Sequence, residues 1–222
     1  MSKIQQRLLF LSIFIILGFI SLQIPVSKLA GSNVSFTFFD FFGPIAGAFL
    51  GPIYGVFSVL VIELVNFYLK NTQVTAGSVI RLFPMLFAVY YFGVLSGKKS
   101  GKIILAVPLL AILAFNANPV GRSVWYYSLF WLIPLVAYFK KDNLFVRSLG
   151  STFTAHAVGG AAWIWTFNLP ASVWKGLIPV VIQERLFFSL GICLAYLSMR
   201  YVLKFLISKK LLPHLDSLRL SF

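Results

Sequence analysis

Hydrophobic residues gather into eight long runs along the chain, separated by short polar stretches. The runs lie at about 8–24, 36–50, 53–69, 79–95, 103–117, 124–139, 144–167 and 177–203. None alternates apolar and polar positions with a period of two, which disfavours membrane-barrel strands. Several runs have only 15 to 17 residues, and flanking residues can extend them to cross a bilayer. The pattern predicts an all-α, polytopic transmembrane helix bundle of six to eight helices, with six as the minimum if one hairpin is only re-entrant.

Composition excludes the main alternatives to a membrane protein. Of the 222 residues, 59% are hydrophobic and 11% are charged, too apolar for a soluble enzyme or a disordered chain. The single Cys193 excludes a disulfide scaffold. The first run is too long for a typical signal peptide, so we interpret it as a retained helix. We expect one integral membrane domain over 1–222, ending in a short basic tail at about 208–222.

The basic residues predict the orientation of the chain. The chain contains 19 Lys and Arg but only five Asp and Glu, which gives a net charge of +14. With eight alternating helices, 13 of the 19 basic residues fall on the side of the two termini and five on the other side. Cytoplasmic loops carry such an excess, so both termini are predicted to be cytoplasmic in a plasma-membrane protein that contacts lipid. No basic stripe with interleaved aromatics lies outside the apolar runs, so nucleic acid is not an expected partner.

A glycine ladder marks the second and third runs. Gly43, Gly47 and Gly51 recur every four residues and share one helix face. Pro52 suits the first turn of a new helix, which predicts a helix break and a tight turn at Gly51-Pro52. Small-residue faces let membrane helices approach closely, so the ladder serves either helix packing or docking of a partner membrane protein. Docking residues are then the three glycines and Ser12 of the first helix.

Polar side chains inside the apolar runs predict a binding site. Each costs several kcal/mol in lipid unless it finds a partner or a wet cavity. In the predicted topology nearly all of them lie in the outer half, which favours one cavity that opens outward. The candidate substrate-binding residues are Asp40, Glu63, Asn66, Arg81, Asn116, Asn118, Arg122, His156, Trp163, Asn168, Gln183, Glu184 and Arg185.

Other interpretations of these residues stay open. The charges could form a purely structural ion network, His156 a hydrogen-bonded interior histidine, and Trp163 part of an interfacial aromatic belt. Glu184 and Arg185 diverge by about 100° on a helix, so each is expected to pair with another residue. The sequence contains no His-Glu-x-x-His, Gly-x-Ser-x-Gly or Walker motif, so we expect no catalytic residue, cofactor or metal.

The chain resembles the substrate-binding S component of energy-coupling factor (ECF) vitamin transporters. The similar features are Asp40 at the entry of helix two, Gly51-Pro52-Ile53-Tyr54-Gly55 at the inner turn, Glu63 and Asn66 ending the next helix, Arg81-Leu82-Phe83-Pro84, and Pro179 in the last helix. This resemblance implies six helices and an outward-facing pocket, capped by loops, that binds a vitamin or similar small molecule. It also implies delivery by toppling in the membrane, driven by a partner transmembrane protein and two ATPases.

Two further functions remain as alternatives. One is an ion-coupled secondary carrier, or a scaffold without substrate. The other is an intramembrane enzyme that uses Glu184, Arg185 and His156.

Overall fold

Helices follow all eight hydrophobic runs. The computed structural model describes residues 3–28, 35–97 and 101–210. The α-helices are α1 (Lys3–Leu22), α2 (Phe39–Leu50), α3 (Pro52–Leu69), α4 (Ala76–Ile80), α5 (Leu82–Leu95), α6 (Ala106–Ala117), α7 (Pro119–Ser123), α8 (Ile133–Phe139), α9 (Leu144–Thr166) and α10 (Ala171–Ser208). Two 3₁₀ segments, Lys102–Leu105 and Trp125–Leu132, lead into α6 and α8. The predicted helical bundle is therefore confirmed.

Four helical stretches in the described part of the chain are long and apolar enough to cross a membrane, judged by length and composition. They are Ile4–Leu22, Pro52–Leu69, Ala76–Leu95 and Ala171–Ser208. Three further apolar stretches are shorter: Phe39–Leu50, Lys102–Ala117 and Trp125–Phe139. The helix α9 is long, with 23 residues, but carries many hydroxyl side chains and a histidine. The bundle thus combines full-length spans with short helices that lie among them.

The shortest of the central helices, α2, is enclosed by its neighbours. Its 12 residues extend over about 18 Å, and ten of them are buried. It packs against α1, α3, α5 and α10. Apolar side chains point from it in every direction, which is typical of a helix surrounded by protein. Phe10 and Phe14 of α1, Ile45 and Phe49 of α2 and Phe92 of α5 form the centre of this core.

The predicted break at Gly51-Pro52 is confirmed. The helix α2 ends at Leu50 and α3 begins at Pro52. Gly51 between them has φ of 87°, in the region that favours glycine. Pro52 opens α3, where its missing N–H costs no hydrogen bond.

The glycine ladder lies inside the bundle, which corrects its assignment as a docking face. Gly43, Gly47 and Gly51 are all buried. A Cβ on Gly55 would come 2.7 Å from the Cα of Gly47, and one on Gly93 would come 2.6 Å from the Gly47 carbonyl oxygen. Backbones of α2, α3 and α5 therefore meet at glycines, and no partner protein reaches them in this conformation.

Ser12 differs from the three glycines, because it is exposed on α1. It lies on the same face as Leu8 and Ile16, four residues away on either side, which are 56% and 59% exposed. This face is open to lipid or to another membrane protein.

One end of the bundle gathers the loops that follow α1, α3, α6 and α9. The Gln23 amide donates to Asn66 Oδ1 at 3.3 Å, which joins the ends of α1 and α3. The Asn118 amide donates to the Ile164 carbonyl at 3.3 Å, which joins the start of α7 to the end of α9. A short antiparallel pair, β1 (Pro25–Lys28) and β2 (Ser35–Thr37), lies at this same end between α1 and α2. We call it the loop end.

The opposite end of the bundle carries several of the basic side chains that the orientation argument placed on the side of the two termini. Lys102, Lys140 and Lys141 lie there, as do Lys204 and Lys209 near the end of α10. Cytoplasmic termini remain a prediction. The predicted tail at about 208–222 lies almost wholly outside the described residues.

Candidate functional site

A small, mainly apolar cavity with three polar side chains in its lining lies between α2, α5, α9 and α10, toward the loop end. Its polar lining comes from Asp40, Thr152 and Arg185, and its apolar lining includes Met85, Phe188 and Ile192. The cavity encloses about 30 Å³, enough for one or two water molecules. It brings together residues that are distant in sequence because α2, α9 and α10 pack against one another.

Arg185 is the main polar residue of this cavity. It is 8% exposed and stacks over the rings of Phe188 and Phe36, with its guanidinium carbon 4.7 Å and 5.6 Å from their centroids. Its Nη1 donates to Thr152 Oγ1 at 3.2 Å. Its Nε is buried and has no hydrogen-bond partner among the described residues. A buried donor on a cation without a hydrogen-bond partner is costly. A further acceptor close to Nε would therefore stabilise Arg185.

Glu184 pairs with Arg185, which corrects the expectation that the two neighbours cannot meet. Arg185 Nη2 donates to Glu184 Oε2 at 3.2 Å, and the two side chains are only 10% and 18% exposed. The Cα–Cβ bonds of Glu184 and Arg185 diverge as the helix geometry requires. The long arginine side chain nevertheless bends back far enough for its guanidinium to reach the Glu184 carboxylate. Cβ directions alone do not exclude a contact for so long a side chain.

Asp40 enters the cavity from the first turn of α2. Its Oδ2 accepts the backbone N–H of Thr37 at 2.8 Å, which ties it to the end of β2. No basic group in the described residues lies within 4.0 Å of its carboxylate. Arg185 and Arg81 are the positive charges that act on it from farther away.

Glu63 and Arg81 extend the charged cluster beyond the cavity. The charges of Asp40, Glu63 and Arg81 interact, although none of these residues forms a direct ion pair within the described chain. Glu63 Oε2 is buried without a hydrogen-bond partner there, and Arg81 is exposed. The charged residues that the sequence analysis assigned to one binding site therefore lie near one another. Of these charged residues, only Asp40 and Arg185 line the cavity.

His156 is held on both sides by aromatic neighbours. Trp131 Nε1 lies 3.0 Å from His156 Nδ1, and Tyr127 Oη lies 3.0 Å from His156 Nε2. An indole N–H can only donate, so Nδ1 accepts; in the neutral ring the proton is on Nε2, which donates to Tyr127. Both ring nitrogens are thus occupied, which supports the interpretation as a hydrogen-bonded interior histidine. The charge of Arg185 still acts on the ring.

Two of the predicted amides hold the backbone or another helix in place. Asn118 Oδ1 accepts the N–H groups of Val120 and Gly121 and caps α7. Asn116 Nδ2 donates to the Ile112 carbonyl at 2.8 Å and to Ser128 Oγ at 2.9 Å. These hydrogen bonds explain Asn118 without a ligand, whereas Asn116 Oδ1 is buried without a hydrogen-bond partner among the described residues.

The remaining predicted residues lie away from the cavity. Arg122 is exposed and donates to the carbonyls of Asn116 and Ala117. Trp163 packs its ring 4.6 Å from that of Phe167, Asn66 accepts from Gln23, and Asn168 and Gln183 are exposed.

Three contributors to the site were not predicted from the sequence. Thr152 bonds Arg185, Thr37 bonds Asp40, and Phe36 covers the guanidinium. Threonines inside a membrane helix usually bond their own backbone, and Thr154 does so at 2.8 Å. No local signal separates Thr152 from Thr154, because only the packing of α9 on α10 turns the first toward Arg185.

Comparisons with known proteins cover nearly the whole chain. A family model described as "ECF transporter, substrate-specific component" matches residues 6–206, which include every residue of the cavity. The uncharacterized protein MJ0923 of Methanocaldococcus jannaschii is 31% identical over 202 residues, covering 82% of this chain and 67% of that protein. No solved structure matches significantly.

Proposed function

This chain belongs to the family of ECF transporter substrate-specific components, and we propose that its cavity at Asp40 and Arg185 binds the transported molecule. Family membership makes the chain a multi-pass membrane protein and a transporter subunit. The substrate is a vitamin or similar small organic molecule. Uptake uses a partner transmembrane protein and two ATPases in the plasma membrane, and both termini of this chain face the cytoplasm.

The observation that carries this proposal is the unpaired Nε of a nearly fully buried arginine beside a cavity that also contains a carboxylate. A purely structural ion network would satisfy its own donors. Here Arg185 meets Glu184 and Thr152 through its two Nη atoms, and its buried Nε–H has no partner among the described residues. A substrate oxygen or nitrogen at the cavity would supply that partner.

The size of the cavity defines what binding requires. Sites for drug-sized ligands have volumes of about 300–1,000 Å³, roughly ten times the volume here or more. A whole vitamin therefore enters only if neighbouring side chains move. Phe36 in the middle of β2, which packs on Phe188, and the flexible Met85 of α5 are the side chains whose displacement would widen the cavity toward the loop end.

Docking on the partner transmembrane protein is assigned to the exposed face of α1 around Ser12. The glycine ladder is excluded because it is internal. On α1 the small Ser12 stands between Leu8 and Ile16, so a partner helix can approach closely at this point.

The alternative of an intramembrane enzyme loses its support in the site geometry. A general base needs a free nitrogen or oxygen near the substrate. Both nitrogens of His156 are engaged by Trp131 and Tyr127, which leaves this residue no free nitrogen for that role, and one oxygen of Glu184 is bonded to Arg185. No structural observation favours the ion-coupled carrier.

Binding can be tested with purified protein in nanodiscs incubated with a mixture of vitamins and related metabolites, read out by native mass spectrometry. We expect one compound to be retained by the native chain and by the control Arg200→Gln, which removes an equal charge at the far end of α10. Arg185→Gln should weaken retention about tenfold or more, because a hydrogen bond to a charged group is lost.

Two results would contradict the proposal. One is equal retention by Arg185→Gln and Arg200→Gln, with both variants eluting as folded protein in size-exclusion chromatography. The other is retention of no compound from the mixture.

A further inference from the structure

A second arginine, Arg147, lies in the groove between α9 and α10 at the end of the bundle opposite the loop end. Its guanidinium carbon lies 4.8 Å from the ring centroid of Phe92 in α5 and 5.4 Å from that of Tyr196 in α10. The next residue of α9, Ser148, has its Oγ 3.4 Å from the Cys193 Sγ of α10, which marks the line where the two helices pack. The two aromatic rings hold the guanidinium at this line by cation–π contact.

Arg147 has no direct counter-ion in the described part of the chain. No described carboxylate lies within 4.0 Å of it, and Asp142 is the acid whose charge acts on it from farther away. Its Nε is buried and has no hydrogen-bond partner among the described residues. A cation partly withdrawn from water is costly unless an anion accompanies it. Arg147 is therefore stabilised by any anionic group that enters the groove.

The surroundings of the groove add positive charge. Residues 140–147 contain three basic residues and one acid, the exposed Asp142, and residues 188–208 of α10 contain no acid. Lys140 is exposed on the turn before α9, and its carbonyl accepts the N–H of Asn143, which caps that helix. The carbonyl of Asn143 in turn accepts the N–H of Arg147. Lys140 thus lies at the mouth of the groove, closer to the end of the bundle than Arg147.

The depth of Arg147 is that of a lipid head group. Arg147 lies three residues after the start of α9, and Phe92 lies three residues before the end of α5, about 4.5 Å inside the bundle in each case. On the adjoining surface of α10, Leu194, Leu197 and Tyr201 are each more than half exposed. A basic groove beside an apolar surface suits a molecule that joins a phosphate to acyl chains.

We propose that the groove at Arg147 binds the phosphate of an anionic phospholipid, whose acyl chains lie along α10. Basic pockets between membrane helices bind acidic lipid head groups in this way. The Arg147 Nε–H supplies a charge-assisted hydrogen bond to a phosphate oxygen, and Lys140 adds attraction at the mouth. The site is separate from the substrate cavity, whose lining contains neither residue.

Lipid binding can be measured by native mass spectrometry of the full-length chain in detergent. The probes are dioleoyl phosphatidylglycerol, which is anionic, and dioleoyl phosphatidylcholine, which has the same chains and no net charge. We expect the anionic lipid to bind at least about fivefold more tightly. Arg147→Gln should weaken its binding about tenfold and Lys140→Gln about fivefold, whereas Arg147→Lys, which keeps the charge, should have an intermediate effect. The control Lys175→Gln, at an exposed basic residue near the loop end of α10, should not change it.

A further arm separates lipid from free phosphate. Glycerol 1-phosphate carries the phosphate without acyl chains, and we expect it not to displace phosphatidylglycerol at millimolar concentration. Displacement would show that the groove is a site for soluble phosphate and would overturn the proposal. Equal binding of the two lipids, or equal effects of Arg147→Gln and Lys175→Gln, would also overturn it. If Arg147→Gln does not elute as folded protein, Lys140→Gln against Lys175→Gln decides the question, and equal binding by these two refutes the site.

Discussion

Replacing Gly47 by alanine tests the glycine contact at the centre of the bundle. The added methyl group would lie inside contact distance of the Val89 carbonyl oxygen, and 3.0 Å and 3.1 Å from the backbone nitrogen and Cα of Gly93. Carbon atoms pack without repulsion at about 3.5–4.0 Å. These neighbours are all backbone atoms, so no side chain can turn away to make room, and α2 and α5 must separate.

The expected cost follows from this overlap. Overpacking a core by one methyl group costs about 1–3 kcal/mol, and a clash with helix backbone belongs at the upper end of that range. We therefore expect Gly47→Ala to lower the free energy of unfolding by about 3 kcal/mol, more than a hundredfold in the folding equilibrium. Natural domains have only about 5–15 kcal/mol in total, so the loss is large.

Two other glycines provide a graded series for the assay. A Cβ on Gly43 would meet only the flexible Met85 side chain, with its sulfur at 2.8 Å, so Gly43→Ala should cost less. A Cβ on Gly176 in α10 meets nothing within 4 Å, and Gly176→Ala should stabilise the helix by up to about 1 kcal/mol. Unfolding of the purified variants is followed by tryptophan fluorescence during titration with denaturing detergent. If Gly47→Ala unfolds at the same detergent fraction as Gly176→Ala, the close helix contact is refuted.

Three further substitutions test other parts of the structure by the same unfolding assay. His156→Phe should lower stability by about 1–3 kcal/mol, because the fully buried indole N–H of Trp131 loses its acceptor; unchanged stability would refute the hydrogen bond. Asn118→Ala removes the cap of α7 and should cost about 1 kcal/mol, whereas the exposed Asn168→Ala should cost nothing; equal effects would exclude the cap. Glu63→Met removes a buried carboxylate oxygen that has no partner in the described chain, so it should raise the free energy of unfolding. A clear loss of stability would instead show that Glu63 makes a contact absent from the structure.

The helical framework could be predicted because its signals are local. Hydrophobic runs of sufficient length specify membrane helices wherever they occur, and all eight runs became helical. The break at Gly51-Pro52 was equally local, since a glycine with positive φ and a proline at the first helical position act through their own backbones. The resemblance to the ECF family was carried mainly by residues from Asp40 to Asn66, with Arg81–Pro84 and Pro179 in addition. It was confirmed by a match over nearly the whole chain.

The site was less predictable because its contacts depend on how helices face one another. The periodicity of Gly43, Gly47 and Gly51 shows that they share a face, but not whether that face meets another segment of this chain or a partner. Glu184 and Arg185 were separated by an argument from Cβ directions that ignored the reach of the arginine stem. For polar residues, sequence identifies which side chains need a partner, and only the packing of α2, α9 and α10 determines which partner they find.

The enclosure of α2 has a consequence for how the nascent chain matures. Twelve residues are too few to cross the hydrocarbon region alone, so α2 depends on later segments to shield its ends. The shielding helices α5 and α10 leave the ribosome after it, and α10 is the last of the described helices to be made. Truncated chains that stop before α10 should therefore remain open to proteases at α2, and resistance should appear only once synthesis has passed the last helix.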